Sequence, residues 1–151
     1  MQYYYVNAGH GTGEEELNSF DDALLDAGVG NYNLVRVSSI LPIGAHRKKQ
    51  VDIEKGNILH AAYAAISSNI DGDIIAAAIA IGVPNNNTDV GVIMEYASHC
   101  TKECAEEKVI SMVEKAMSVR KSCIKKIVSN SAQCRIEDGL YHTAFAVVAL
   151  W

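Results

Sequence analysis

Two adjacent hydroxyls, Ser38 and Ser39, close the apolar stretch NYNLVRVSSILP at residues 31–42. A serine Oγ beside its own preceding carbonyl can attack it, turning a peptide bond into an ester. The alternative is inert: hydroxyls buried in a strand need partners, and nearby backbone can supply them. Glu95 follows an apolar run in VGVIMEY, near the end of a segment expected to be a buried strand. An apolar setting disfavours a carboxyl's charged form, which suits a proton donor, whereas a strand end facing water leaves an ordinary carboxylate. Asp21 shares one helical stripe with Leu17, Leu24 and Gly28, at spacings of four, three and four. A carboxylate there can be the anionic end of a pocket for a cation, or simply a residue the helix dipole favours. Asp22 falls on the neighbouring polar stripe with Asn18 and Asp26 and reads as solvated.

Other reactive residues form weaker patterns. Cys100 and Cys104 stand one helical turn apart beside His99, but no second Cys/His pair of zinc spacing accompanies them. Buried thiols are the expected reading. The histidines at 10, 46, 60, 99 and 142 make no triad spacing, and His60 and His142 lie in apolar strands as satisfied core residues. The cluster AGHGTG at 8–13 lacks the Lys-Ser/Thr ending of a phosphate loop and reads as a flexible turn.

These residues need a frame to hold them. A helix is predicted over 17–28, with Asn18 or Ser19 as cap and Gly28 as its left-handed stop. A second is predicted over 102–121, capped by Thr101 and buried along Ala105, Val109, Met112 and Ala116. Strands are expected at 33–41, 58–67, 73–83, 90–96, 123–130 and 141–151. Asp71-Gly72 sits where a tight hairpin would join the second and third, and residues 84–89 make the next turn. Strands apolar on both faces must be covered on both, which gives an α/β sandwich with the helices outside.

The 151 residues are enough for one domain, and 49% apolar with 21% charged content argues against disorder. The net charge of −5 and a single compact cationic run, HRKK at 46–49, argue against a nucleic-acid partner and fit a small cationic ligand. The longest apolar run, at 74–83, is far short of the ~20 residues a membrane span needs. No secretory signal pattern opens the chain, so four thiols in a reducing cytoplasm are expected.

Three stretches together resemble the pyruvoyl-dependent arginine decarboxylases. Residues 17–42 are similar to that family's self-processing region, GVIMEYASHCTKECAEEKV at 91–109 to its second motif, and AFAVVALW at 144–151 to its last strand. The resemblance implies an α+β fold: a four-layer αββα sandwich with mainly antiparallel sheets, assembled as a trimer with active sites shared between neighbours. It also implies cleavage between Ser38 and Ser39, into a β chain of 1–38 and an α chain of 39–151. Ser39 then becomes a covalently bound pyruvoyl group, with no pyridoxal phosphate and no metal required. By the same resemblance, Asn33 assists processing and Glu95 protonates the α-carbon after CO2 leaves a Schiff base. Asp21 holds the substrate's guanidinium, and Leu17, Leu24, Gly30 and Ile40 shape the pocket. The implied reaction is L-arginine to agmatine and CO2. A different amino acid substrate, or a homologue that never cleaves and serves a binding or structural role, are the rival readings.

Overall fold

A computed structural model describes residues 1–151. The elements run β1 (Tyr3–Gly13), α1 (Glu16–Asp26), β2 (Asn33–Arg36), β3 (Ile40–Leu41), β4 (His46–Arg47) and β5 (Ile58–Ser68). There follow β6 (Ile74–Pro84), β7 (Gly91–Ser98), α2 (Lys102–Val119), β8 (Ile124–Arg135) and β9 (Tyr141–Leu150). Two sheets form, β2-β5-β9-β1-β4 and β3-β7-β6-β8. Only the short β1–β4 and β2–β5 pairings are parallel. The expected αββα order holds, with α1 on the outer face of the first sheet and α2 on the outer face of the second.

The strand sequences explain this layering. On β6, Ile75, Ala77, Ile79 and Ile81 face the other sheet, while Ala76, Ala78 and Ala80 lie under α2. Side chains alternate faces along a strand, so bulky residues fill the gap between sheets and small ones admit the helix. Each fully buried Ile contributes roughly 1.5–3 kcal/mol. Strand β9 repeats the scheme, sending Ala144, Ala146, Val148 and Leu150 inward and Phe145, Val147 and Ala149 toward α1.

Several expectations are corrected. The glycine cluster is no flexible turn but part of β1, and Gly9, Gly11 and Gly13 form a cradle for α1. A Cβ on Gly11 would lie 2.2 Å from the backbone of both Ser19 and Ala23. The helix therefore buries Ser19, Ala23 and Ala27, not the stripe through Leu17 and Asp21. Neither Asn18 nor Ser19 caps it; Glu15 is the N-cap residue and makes no side-chain cap bond. Asp22 is not merely solvated: its Oδ2 accepts from Thr12 N at 2.9 Å, as Asp26 Oδ2 does from His10 N at 2.9 Å. Both carboxylates satisfy open-edge amides of β1 and pin the helix beside it.

Asp71-Gly72 does not close a hairpin, because β5 and β6 lie in different sheets and the step carries the chain across. In α2, capped by Thr101 as expected, the buried stripe is Ala105, Val109, Val113 and Met117; Met112 and Ala116 flank it. Of the four free thiols only Cys134 is buried, while Cys104 and Cys123 are exposed. His142 is a satisfied core histidine, with Nε2 2.9 Å from Asp138 Oδ1 and Nδ1 3.1 Å from His10 Nε2. No helix is long and apolar enough to cross a membrane.

Candidate active site

The predicted strand 33–41 is two strands in two different sheets. β2 pairs with β5 in one sheet and β3 pairs with β7 in the other. Residues 37–39 carry the chain across the open edge between them. The Ser-Ser pair is thus not inside a strand, and its hydroxyls are not buried between sheets. Ser38 is exposed and Ser39 is half-buried.

Ser39 adopts φ 67°, a left-handed conformation that only one other non-glycine residue, Lys121, shares. For an L-residue other than Gly this costs roughly 1–2 kcal/mol. The surroundings hold it there. Its carbonyl accepts from Ile93 N at 2.8 Å. Its hydroxyl donates to the Glu95 carboxylate, with Oγ 3.0 Å from Oε2 and 3.2 Å from Oε1.

Glu95 lies on β7 with its side chain turned to the same inward face as Ile93 and Ala97, opposite Ile79 of β6. Its side chain is 25% exposed and polar-partnered, a half-open setting at the sheet edge that lies between the apolar and the water-facing alternatives. A third residue, not singled out from sequence, completes the cluster. Arg36 ends β2; its Nη2 lies 3.9 Å from Glu95 Oε1 and donates to Tyr63 O at 2.8 Å. The guanidinium also sits over the Tyr63 ring, 4.6 Å from the centroid. Nothing in NLVRV distinguishes this arginine from an outward-facing cation on an edge strand, which is why sequence gave no signal.

One chain brings Ser39, Glu95 and Ile40 together, and leaves the other expected residues elsewhere. Asn33 opens β2, at the opposite end from Ser38; its Nδ2 donates to Gly56 O at 2.6 Å. Five residues of extended chain separate it from Ser38, roughly 16 Å. Asp21 is exposed on α1, which packs on the outer face of the first sheet, whereas Ser39 belongs to the second sheet's layer. Leu17 is 75% exposed and borders a cavity of about 540 Å³ with Phe20, Ala65 and Ile66. Leu24 is half-buried against the core under α1. Gly30 lies against the end of α1, where a Cβ would meet Leu25 N at 2.7 Å.

A hydroxyl on a carboxylate, in a strained crossover, is an arrangement suited to an activated nucleophile. No three His, Cys, Asp or Glu side chains converge as a metal site, and Cys100 and Cys104 gather no further ligand.

Comparison with known proteins places this geometry in context. The family model for pyruvoyl-dependent arginine decarboxylase matches residues 3–151. A pyruvoyl-dependent arginine decarboxylase of Methanococcus aeolicus is 38% identical over 144 residues, covering 95% of this chain and 86% of that protein. One from Pyrococcus abyssi is 42% identical over 140 residues, covering 90% and 87%. Among solved structures, a pyruvoyl-dependent histidine decarboxylase superposes with a TM-score of 0.56 at 14% identity, over 68% of this chain and 54% of that one. At that identity the structural likeness speaks for the fold alone.

Proposed function

The chain belongs to the pyruvoyl-dependent arginine decarboxylase family, and on that premise we propose that it converts L-arginine to agmatine and CO2 with a pyruvoyl group made from its own Ser39. The observation that carries this reading is the Ser39 hydroxyl, donated to both oxygens of Glu95 from a left-handed residue in the crossover. Such a residue fits the precursor of the group. It has a nucleophilic oxygen with a proton acceptor at hand, and a strained backbone that cleavage relaxes.

The chemistry of formation runs through this chain's own atoms. Ser39 Oγ attacks the Ser38 carbonyl carbon; the Ser38–Ser39 C–N bond breaks and the hydroxyl proton ends on the freed amine. Loss of the Ser39 α-proton then breaks the Cβ–Oγ bond, releasing residues 1–38 with a carboxylate at Ser38. The dehydroalanine left at position 39 takes up one water and releases ammonia, which yields the pyruvoyl ketone at the head of 39–151. Asn33 is assigned to assist processing from a distance, through its hold on Gly56 O that anchors the far end of β2, and Ser38 contributes the scissile carbonyl.

When present, the pyruvoyl carbonyl supplies an electron sink for the pair of electrons that CO2 leaves behind. The protein residues do the rest. Glu95, beside position 39, is the group that returns a proton to the substrate's α-carbon. Asp21 binds the guanidinium, a planar fork matched to a carboxylate. Leu17, Leu24, Gly30 and Ile40 border the aliphatic stem.

Asp21 and Ser39 occupy opposite sides of one sheet within a chain, so this assignment requires two copies to complete each site. That requirement, with Leu17, Leu25, Val35 and Ile58 exposed along α1 and the β2–β5 edge, supports an oligomer of αβ protomers, which the family resemblance makes a trimer. Four free cysteines fit a reducing cytoplasm.

CO2 release across a panel of amino acids tests the substrate. Arginine is expected to react fastest, with lysine and ornithine weaker because a point charge cannot engage Asp21 bidentately. Faster turnover of histidine or an apolar amino acid than of arginine refutes the assignment.

A further inference from the structure

Arg36 is the cation that ion-pairs with Glu95, and it stands two residues before the bond to be cut. We propose that Arg36 is a positioning residue that changes carboxylate partners when the chain is cleaved, holding Glu95 on the Ser39 hydroxyl beforehand and taking the new Ser38 carboxylate afterwards. This inference rests on the self-cleavage proposed above.

Before cleavage, the carbonyl of Ser38 belongs to a neutral amide and competes poorly for a guanidinium. Glu95 Oε1, 3.9 Å from Nη2, is the carboxylate within ion-pair distance of Arg36. The arginine is itself anchored, by its bond to Tyr63 O and by the Tyr63 ring beneath it. That ring packs against Phe20 and Phe145. An anchored cation fixes the Glu95 carboxylate beside the Ser39 hydroxyl.

Cleavage adds a full negative charge at Ser38. Two residues of chain reach at most roughly 7 Å, so this carboxylate forms within the arc of the Arg36 side chain. A guanidinium has five N–H donors in a fork, and carboxylates engage it bidentately. Once Arg36 turns to the new terminus, Glu95 is released from its ion pair and can turn toward the substrate's α-carbon. One carboxyl can thereby act as acceptor in the first reaction and donor in the second.

The surroundings of Glu95 leave Arg36 as its charged partner. Strand β6 faces it with Ile79, and β7 contributes Ile93 and Ala97 on the same face. The inward residues of β5 are Ala62 and Ala64, with His60 further along opposite Leu150. The Ser39 hydroxyl is the polar group in contact with it.

The test compares the wild-type full-length chain with R36K and R36M. The Arg36 side chain is 58% exposed, so neither change removes core packing. Cleavage is followed by intact mass, and R36M is expected to cleave about two- to fivefold more slowly, the worth of an exposed ion pair. R36K keeps the cation and should recover most of the rate. On cleaved protein carrying [1-13C]serine, the Ser38 carboxyl resonance should titrate about one unit lower in wild type than in R36M. A wild-type cleavage rate in R36M would overturn the first half of the inference, and equal Ser38 titrations the second, each while cleavage stands. A wild-type chain that never cleaves takes down both this inference and the reading beneath it.

Discussion

Replacing Gly11 by Ala tests how the glycine cradle sets the position of the helix that carries Asp21. The added Cβ would fall 2.2 Å from Ala23 N and from Ser19 O, both backbone atoms with nowhere to rotate. Restoring ordinary contact requires α1 to lift from β1 by about 1 Å, enough to lose a quarter to half of the dispersion energy along that seam. The buried Ser19–Thr143 hydroxyl pair at 2.7 Å stretches with it, as do the bonds from Thr12 N to Asp22 and from His10 N to Asp26. Overpacking of this kind costs about 1–3 kcal/mol and the buried hydrogen bond about 1 more. A loss of about 3 kcal/mol lowers the Tm of a chain this size by roughly 6–12 °C. Gly44→Ala is the control: φ is 69° with nothing within 4 Å, so only backbone strain of roughly 1–2 kcal/mol applies. Thermal unfolding at one fixed protein concentration reads both. Steady-state decarboxylation should show KM rising several-fold in G11A with kcat less changed, because Ser39 and Glu95 belong to the other sheet. A G11A protein that unfolds no earlier than G44A would refute the reasoning.

Asp21→Asn should leave cleavage intact and raise the KM for arginine roughly 10- to 150-fold, the worth of a hydrogen bond to a charged group; an unchanged KM removes Asp21 from the site. Glu95→Gln should still cleave, more slowly, because the amide oxygen can accept the Ser39 hydroxyl, but decarboxylation should fall by at least a hundredfold for want of a proton donor. Loss of cleavage altogether would reassign Glu95 to processing alone. Burial pushes the Cys134 thiol up to about 12, so the native protein at pH 7.5 should alkylate rapidly at Cys104 and Cys123 and not at Cys134. Mass mapping of the labelled thiols checks this, and early labelling of Cys134 would contradict its place in the core.

What sequence reveals here depends on whether the signal is local. The long apolar strands β5, β6, β7 and β9 and both helices announce themselves by composition, and their observed bounds differ from expectation by a few residues, although the stripe read along α1 is not the buried one. Which sheet a strand joins is not a local property. Asp71-Gly72 has hairpin chemistry yet leads across layers, and 33–41 reads as one strand although its halves part company at Ser38. Glycine is ambiguous in the same way, since residues 8–13 have the composition of a turn while their alternate positions make room for a helix.

The site divides similarly. Ser39 and Glu95 are 56 residues apart and no spacing rule joins them; the family resemblance did, and the fold sets the Ser39 hydroxyl on the Glu95 carboxylate. The apolar stripe that drew attention to Asp21 is not the buried one, so the residue keeps its proposed role for a different reason, its exposure beside Leu17 on a face free to meet another copy. Arg36 escaped notice because its partners, Tyr63 and Glu95, come from two other strands.

The central claim is that the bond between Ser38 and Ser39 breaks by the protein's own chemistry. Intact-mass measurement of the purified protein, with Ser39→Ala beside it, tests that claim most directly. Two chains are expected, residues 1–38 with a free carboxylate and residues 39–151 headed by a pyruvoyl group, their summed mass differing from the precursor by a gained water and a lost ammonia. The alanine variant should remain whole. A wild-type chain that stays at 151 residues after prolonged warming would contradict the account.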